Sequence, residues 1–394
     1  MTRHLRKRRV SRKKLANRPV RRRRRRANKR AVRQQVRRQS RKPVYRKRHD
    51  RRERGLCAAV HREQTAELVI AVPDPQFLQL AAIAGAEAGA DIRSTGGSID
   101  KQQIQQHWSL WLQRAMPPGI AHLDIYTAFM RAYIGAAFAD HAELPSWVLL
   151  PEAHTVSCIL TAMNEERTIG LVLGQLARLP LHEVIVVVNG SADRTRDIAE
   201  TFERVKVLHY EEALGHDVGR TLGASSSSGD LLLFMDADFA VPGEALLPFF
   251  LAVHDGADIA LNDISPFVDR FERRDEVTVM KEFLNRLLGR QDLAVNSLTA
   301  VPHLMTRAAA NSIGLEKLAV PPLAQVKAVE AGLRIDNGGQ INVVKHNRHR
   351  KSNTGAKNPV AEMIIGDHME ALSQLIREQG PRLTFADTVR TRHS

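Results

Sequence analysis

Two aspartates, Asp236 and Asp238, follow the apolar run Leu231–Met235 and have the clearest chemical potential in the chain. Residues two apart in an extended backbone point to the same side, so both carboxylates are expected to converge where this strand ends. Such a pair repels unless a cation neutralises it. A divalent ion with oxygen ligands does so and can also bridge two phosphate oxygens. We therefore predict a metal site for a phosphorylated ligand; turn-forming aspartates exposed at a strand end are the alternative.

The elements that must position this pair are a series of strands and helices beginning near residue 154. The predicted strands are Val156–Leu160, Val184–Val188, Val205–Leu208 and Leu231–Met235, and the predicted helices are Glu165–Leu179, Asp193–Phe202 and Asp217–Ser226. Continuous apolar strands between helices indicate a parallel sheet covered on both faces. Right-handed crossovers make it a doubly wound α/β layer, in which ligands bind beyond the carboxyl ends of the strands.

Other polar residues are predicted at the same edge of the sheet. Thr161 and Asn164 follow the first strand, and Glu165 opens the next helix. Asn189 and Gly190 make the turn after the second strand. Because parallel strands bring their carboxyl ends together, these residues favour a functional role for the aspartate pair.

The charge of the chain is divided sharply between its two parts. Residues 1–54 contain 28 Lys and Arg against Asp50 and Glu53, a net charge of +26. The whole chain carries +16, so the other 340 residues carry −10. A segment this basic, with almost no large apolar residue, predicts a disordered tail. The tail is expected to bind nucleic acid, an anionic membrane surface or an anionic polymer, or to act as a solvated segment alone.

Three regions are predicted: the tail at 1–54, a mainly helical region at 55–150 and the α/β domain at 151–380. Trp108 and Trp111 lie at helical spacing and are expected to anchor a core. Two cysteines exclude a disulfide scaffold and a Cys-rich zinc site. No apolar run is long enough for a spanning helix, and we expect no secretory signal because the basic N-terminal residues are not followed by an apolar core. We predict a cytoplasmic protein, with peripheral association at the inner face of the membrane as the alternative.

Four motifs in order carry a family resemblance: "VSCILTAMNEERTIG", "EVIVVVNGSADRT", "GRTLGA" and "GDLLLFMDADF". Together they resemble the nucleotide-sugar-binding half of a family 2 glycosyltransferase, closely over residues 155–240 and less closely to about 350. The resemblance implies the GT-A fold, a doubly wound, mostly parallel sheet with helices on both faces. Here it is preceded by the helical region and the basic tail.

The resemblance also implies roles for individual residues. The residues implied to bind the nucleotide sugar are Thr161, Asn164 and Glu165 around the base and ribose, Asn189 and Gly190 in a base-contacting loop, and Arg220 near the base and diphosphate. Asp236 is implied to reach the ribose or the metal. Asp238 is implied to hold the metal and to be essential for catalysis.

Two departures from the family pattern affect the predicted chemistry. The family's "DD" pair is Val188-Asn189 here, which alters base recognition. The acidic pair expected before "GLRI" is missing from Ala319–Lys327. Either a displaced general base is present, with Asp263 and Asp292 as candidates, or the departing phosphate accepts the proton in a retaining transfer.

A late histidine is the remaining candidate metal ligand. The segment Gln340–Arg350 weakly resembles phosphoglycerate glucosyltransferases, in which a late histidine completes the metal site. His346 and His349 are the candidates here, and surface histidines in a basic stretch are the alternative.

These features predict a metal-dependent glycosyltransferase that uses Mn²⁺ or Mg²⁺. It would transfer a sugar from a nucleotide-diphospho-sugar to a hydroxyl of a saccharide, a lipid-linked acceptor or a small molecule. The alternative is a polyanion-binding protein whose GT-A domain is inactive. A dehydrogenase is excluded because no G-x-G-x-x-G follows the first strand. A nucleotidyltransferase is disfavoured because "TAMNEE" lacks a Gly-rich basic loop.

Overall fold

The computed structural model describes residues 72–343 apart from 97, 118 and 152, and then residues 358–383 and 385. The predictions made for the basic tail at 1–54 and for His346 and His349 lie outside these residues. They therefore stay predictions of the sequence.

A seven-stranded sheet forms the centre of the fold, with the order β3-β2-β1-β4-β6-β5-β7. The strands are β1 Val156–Ala162, β2 Glu183–Asn189, β3 Val205–Tyr210, β4 Leu231–Asp236, β5 Ile259–Leu261, β6 His303–Thr306 and β7 Ile335–Asn337. Neighbours pair in parallel except that β6 runs antiparallel to both β4 and β5. The predicted α/β fold with a mostly parallel sheet is confirmed.

The four predicted strands are confirmed because their apolar runs are buried on both faces of the sheet. In β1 and β4 every residue from 156 to 160 and from 231 to 235 is buried. Strand β1 pairs on both sides, with Leu160 opposite Val186 of β2 and Met235 of β4. Burial on both faces explains why these strands show continuous apolar sequence instead of alternation.

Helices cover both faces of the sheet. In the described part of the chain they are α1 Pro75–Ser94, α2 Lys101–Ala115, α3 Leu123–Ala137, α4 Ile169–Leu176, α5 Thr195–Ala199, α6 Val218–Ser225, α7 Gly243–His254, α8 Glu276–Leu287, α9 Arg307–Ile313, α10 Pro321–Glu330 and α11 Pro359–Gln379. Helix α6 lies closest to β1. A Cβ built on Gly223 would lie 2.4 Å from Cγ2 of Ile159, so glycine permits this approach.

The predicted helices begin earlier than the observed ones. The helix expected from Glu165 begins at Ile169, because Glu165–Thr168 form a turn that is hydrogen-bonded to the segment after β2. In that segment the Ser191 hydroxyl accepts a hydrogen bond from Asn164 N.

The helices before the sheet share its core. Trp108 of α2 is fully buried, and its indole N–H donates to Tyr126 Oη of α3 over 3.0 Å. One hydrophobic cluster contains Trp108 together with Leu160 and Leu233 of the sheet. Residues 70–394 accordingly group as one compact unit. The domain boundary predicted at residue 150 stays a prediction.

None of the described helices combines the length and the apolar character needed to cross a membrane.

Candidate functional site

Three polar side chains at the carboxyl edge of the sheet face helix α6. Ile159 and Phe234 pack in the cluster that contains Ala224 of α6. Side chains alternate along a strand, so Thr161 and Asp236, two residues further on, point to the same face. Val187 also faces α6, because a Cβ built on Gly219 would lie 3.5 Å from it. Asn189 at the end of β2 therefore joins Thr161 and Asp236 on this face.

The aspartate pair lies at the end of β4, the central strand. Asp236 is the register partner of Thr161, whose hydroxyl donates to Asp236 Oδ1. Ala237 N donates to Thr161 O over 3.0 Å, so the pairing with β1 continues one residue past the strand. Asp238 follows in a bend. Both residues are half-buried, and Asp238 Oδ1 is buried.

The loops after β1 and β2 are bonded to each other. Asn164 has a left-handed backbone (φ 57°), and its Oδ1 accepts from Ala192 N over 2.9 Å. Glu165 N donates to Thr195 Oγ1 over 2.7 Å, and the Glu165 side chain is buried with Thr168 Oγ1 3.1 Å from Oε2. Glu165 therefore holds the loop in place, whereas Asn164 shapes its turn.

The departure at Val188-Asn189 has a structural reason. Asn189 Nδ2 donates to Gly215 O and its Oδ1 accepts from Leu214 N, each over 2.8 Å. An aspartate could accept the second bond but could not donate the first. Val188 is fully buried on the opposite face, where a carboxylate would lack solvation. The end of β2 is thus held to the segment at Leu214–Gly215 by an uncharged side chain, and its neighbour Val188 is uncharged as well.

The guanidinium of Arg220, on the first turn of α6, is bonded to other groups of the protein. Its Nη2 lies 3.0 Å from Asp217 Oδ1, and both side chains are only 7% exposed. Nη1 donates to Leu298 O over 2.8 Å, and Nη2 donates to Thr299 O over 3.4 Å. Asp217 occupies the N-cap position of α6 but makes no capping hydrogen bond. The pair therefore fastens the segment before β6 to α6.

Asp263 lies at the same edge as Asp236. Strands β5 and β4 run in the same direction, since both are antiparallel to β6, and Asp263 follows the end of β5. Its Oδ1 accepts from the fully buried Asn296 over 2.8 Å, and its Oδ2 accepts from Gln340 over 3.0 Å. Both oxygens are thus held by neutral amides.

The structure does not bring Asp292 to this edge. Arg290 Nη2 lies 2.7 Å from Asp292 Oδ2 and also donates to O of Ile335, where β7 begins. The hydrogen bonds from Arg290 hold the pKa of Asp292 below its usual range, against the opposing effect of burial. A carboxylate with a lowered pKa, paired to an arginine, is a weak general base.

The aspartate pair can supply part of a cation site. Among the described residues, no three His, Cys, Asp or Glu side chains are grouped closely enough to hold a metal ion. Mg²⁺ in proteins is usually held by one or two carboxylates together with substrate phosphates and water. Asp236 and Asp238 fit that mode, in which the ligand completes the coordination.

His303, to which the sequence assigned no role, lies beside the site. It is the first residue of β6, its ring stacks on Phe234 with centroids 4.9 Å apart, and its Nδ1 lies 3.1 Å from Ala300 O. Burial and, next, the charge of Arg220 lower the pKa of His303 to about 3. It is therefore a neutral packing residue. The sequence "HLMT", with only Leu and Met as apolar residues, was the only indication of the strand that carries His303.

His303 should make the protein sensitive to acid. Its folded pKa of about 3 is below the unfolded value of 6.5, so between these pH values the unfolded chain binds more protons. Stability is therefore lost as pH falls through this window, by up to about 1.4 kcal/mol per pH unit. We expect His303→Gln to remove this component in urea unfolding measured at several pH values. Equal pH slopes for both proteins would contradict the assignment.

Residues 157–307 match the family model described as "Glycosyl transferase family 2". The match covers β1 to β6 and both members of the aspartate pair. Over these residues the chain is similar to family 2 glycosyltransferases, in agreement with the resemblance carried by its motifs.

Relatives match over part of their lengths. Glucosyl-3-phosphoglycerate synthase of Mycolicibacterium smegmatis is 32% identical over 130 residues, 28% of this chain and 42% of the relative. Glycosyltransferase AglE of Haloferax volcanii is 34% identical over 91 residues, 21% of this chain and 30% of the relative. Validoxylamine A glucosyltransferase of Streptomyces hygroscopicus is 35% identical over 96 residues, 23% of this chain and 22% of the relative. The chain thus aligns with less than half of each of these relatives.

Among solved structures, glucosyl-3-phosphoglycerate synthase from Mycobacterium tuberculosis in complex with UDP is similar at a TM-score of 0.42. The sequence identity is 20%, and the match covers 61% of this chain and 84% of that chain.

Proposed function

We propose that this protein is a metal-dependent glycosyltransferase that moves a sugar from a nucleotide-diphospho-sugar to an acceptor hydroxyl. The observation that carries the proposal is the half-buried pair Asp236 and Asp238 at the end of the central strand. The family 2 domain that surrounds the pair supports the same chemistry.

The donor would lie along the carboxyl ends of β1, β2 and β4. Asn164 and Asn189 shape the two loops that would receive the base, and Gly190 (φ 68°) permits the tight turn between β2 and its loop. Thr161 fixes one oxygen of Asp236, which orients that carboxylate toward the ribose or a cation.

Asp236 and Asp238 would together hold Mn²⁺ or Mg²⁺ against the diphosphate. Such an ion neutralises the charge that builds on the diphosphate as it departs. Arg220 would act indirectly, since its guanidinium positions the backbone at Leu298 and Thr299.

The proton of the acceptor hydroxyl can be removed by two routes. In one route Asp263, which follows β5 at the same edge of the sheet as Asp236, would release Gln340 and accept the proton of an acceptor hydroxyl. In the other route no protein base is used, and the departing phosphate accepts the proton. The stereochemistry of the product separates the two routes, because direct base-assisted displacement inverts the anomeric carbon.

The donor can be identified by ligand-dependent stabilisation of the full chain. We expect the melting temperature to rise with one nucleoside diphosphate or nucleotide sugar from a panel, and to rise further with Mn²⁺. Binding to the folded state alone adds about 2.7 kcal/mol when the ligand is at 100 times its Kd. The panel should begin with nucleotide-diphospho-glucose donors, because the names of two of the relatives contain a glucosyl group. EDTA should reverse the Mn²⁺ increment; a panel without any nucleotide response would refute the proposal.

A further inference from the structure

A buried lysine lies on the inner face of α8. The buried positions of this helix include Thr278, Lys281 and Asn285, spaced three and four residues apart as one helical face requires. Lys281 is 8% exposed. Within the described part of the chain, no carboxylate lies within ion-pair distance of its ammonium, and no carbonyl accepts from it. Burial of an unpaired charge is unfavourable, so its presence calls for an explanation.

The face that carries Lys281 packs on the segment that precedes β6. Asn285, one turn further along α8, donates to Ala294 O over 3.0 Å and to Asn296 O over 2.8 Å. The same segment continues to Thr299, whose carbonyl is bonded to Arg220. Lys281 lies on the helix face that packs on this segment, and Arg220 contacts the segment from α6. Burial lowers the pKa of Lys281 to about 8; the carboxylate of Asp275 opposes this effect, and the charge of Arg220 adds to it.

The carboxylates nearest to this pair of cations are already in use. Asp217 is paired with Arg220 at 3.0 Å. Asp275 caps α8 and accepts from Thr278 N and Thr278 Oγ1, over 2.8 Å and 2.6 Å. In α11, burial and the negative charge of Asp217 raise the pKa of Asp367 to about 6. Lys281 is thus left without an ion-pair partner, although the carboxylate of Asp275 attracts it from a longer distance.

Two hydroxyls of the same segment lack hydrogen-bond partners. Ser297 Oγ and Thr299 Oγ1 are buried, and neither has a partner among the described residues. They flank Leu298, whose carbonyl accepts from Arg220 over 2.8 Å. An ammonium without an ion-pair partner and unpartnered hydroxyls are donors from which an oxyanion can accept hydrogen bonds.

We propose that Lys281 and Thr299 form a subsite for an oxyanion, a phosphate or carboxylate group of a substrate, on the α8 side of Arg220. The oxyanion has two possible sources, the diphosphate of the donor or an acidic group on the acceptor. Only the identity of these two sources rests on the proposed function, because the unpaired ammonium and the unpartnered hydroxyls are properties of the fold itself.

The decisive variant is Lys281→Met, which keeps the length of the side chain and removes the charge. Lys206→Met is the matched control, because Lys206 is exposed on the edge strand β3 and the change in net charge is the same. Each full-length protein is tested for binding of inorganic phosphate, and separately of UDP with Mn²⁺, by calorimetry and thermal unfolding. If Lys281 serves a ligand, Lys281→Met should match or exceed the wild-type melting temperature and lose phosphate affinity at least tenfold. Lys281→Arg should retain part of that affinity, and the control should retain all of it.

The two probes separate the two sources. If the oxyanion belongs to the donor, Lys281→Met also weakens UDP binding at least tenfold, and phosphate competes with UDP in the wild type. If it belongs to the acceptor, UDP affinity is unchanged and phosphate still binds to the wild type saturated with UDP. Phosphate binding through Lys281 without any nucleotide binding would refute the glycosyltransferase proposal and leave the subsite standing. A wild type that binds neither probe, or a less stable Lys281→Met with unchanged affinities, would overturn the subsite.

Discussion

Replacement of Asp238 by asparagine is expected to reduce sugar transfer by about 10³-fold or more. The amide keeps the shape of the side chain but removes one of the two charges that would hold the cation against the diphosphate. Loss of electrostatic stabilisation worth several kcal/mol at the departing group corresponds to this factor. The measurement is the rate of nucleoside diphosphate release at saturating donor with Mn²⁺ present.

The control for this variant lies at the other end of the same strand. Asp230 immediately precedes β4 and accepts hydrogen bonds from Thr155 N and Thr155 Oγ1, over 3.0 Å and 2.7 Å. These bonds hold the pKa of Asp230 below its usual range. Asp230→Asn should lower stability by about 1 kcal/mol and leave the rate unchanged. Equal rates for Asp238→Asn and the wild type would remove the basis of the assignment.

Replacement of Arg220 by methionine is expected to lower the free energy of unfolding by about 3–5 kcal/mol, because it leaves the carboxylate of Asp217 buried without its partner. Both side chains of the ion pair are 7% exposed, and the carbonyls of Leu298 and Thr299 also lose their donor. Chemical denaturation measures the change. Transfer activity should fall as well, since the segment that carries Thr299 is released from α6.

A double-mutant cycle tests the cause of this loss. Adding Asp217→Asn to Arg220→Met removes the unpaired charge. The double variant should therefore be more stable, by more than about 1 kcal/mol, than the sum of the two single effects predicts. Arg196→Met is the control, because Arg196 and Glu200 form an exposed pair at 2.7 Å on α5. Exposed pairs of this kind contribute about 0.5 kcal/mol or less. Additive effects, or a control as damaging as Arg220→Met, would contradict the explanation.

Much of the donor half of the fold follows from local sequence. The apolar runs of β1 to β4 are long enough, and sufficiently separated by helical segments, to specify parallel strands without knowledge of their partners. Once the strands are parallel, Thr161, Asn189 and Asp236 must lie at one edge. The apolar residues of β5 also end sharply, at Asn262 and Asp263.

The helix starts were predicted less well because they depend on side chains across the site. Glu165 does not begin a helix, since its N–H donates to Thr195 Oγ1 at the start of α5. Arg220 could be recognised from its motif as a residue near the donor. That its guanidinium is committed to Asp217 and to two carbonyls almost 80 residues away could not be read from the chain.

The sequence by itself therefore determined strands β1 to β4, their common edge and the aspartate pair, because an apolar run is a local property of the chain. Tertiary structure alone decided that Asp263 lies at this edge between Asn296 and Gln340 while Asp292 is held by Arg290 elsewhere. It also decided that Lys281 is buried beside Arg220. Charge placement of this kind depends on groups brought together from separate helices, and neither composition nor spacing encodes those distances.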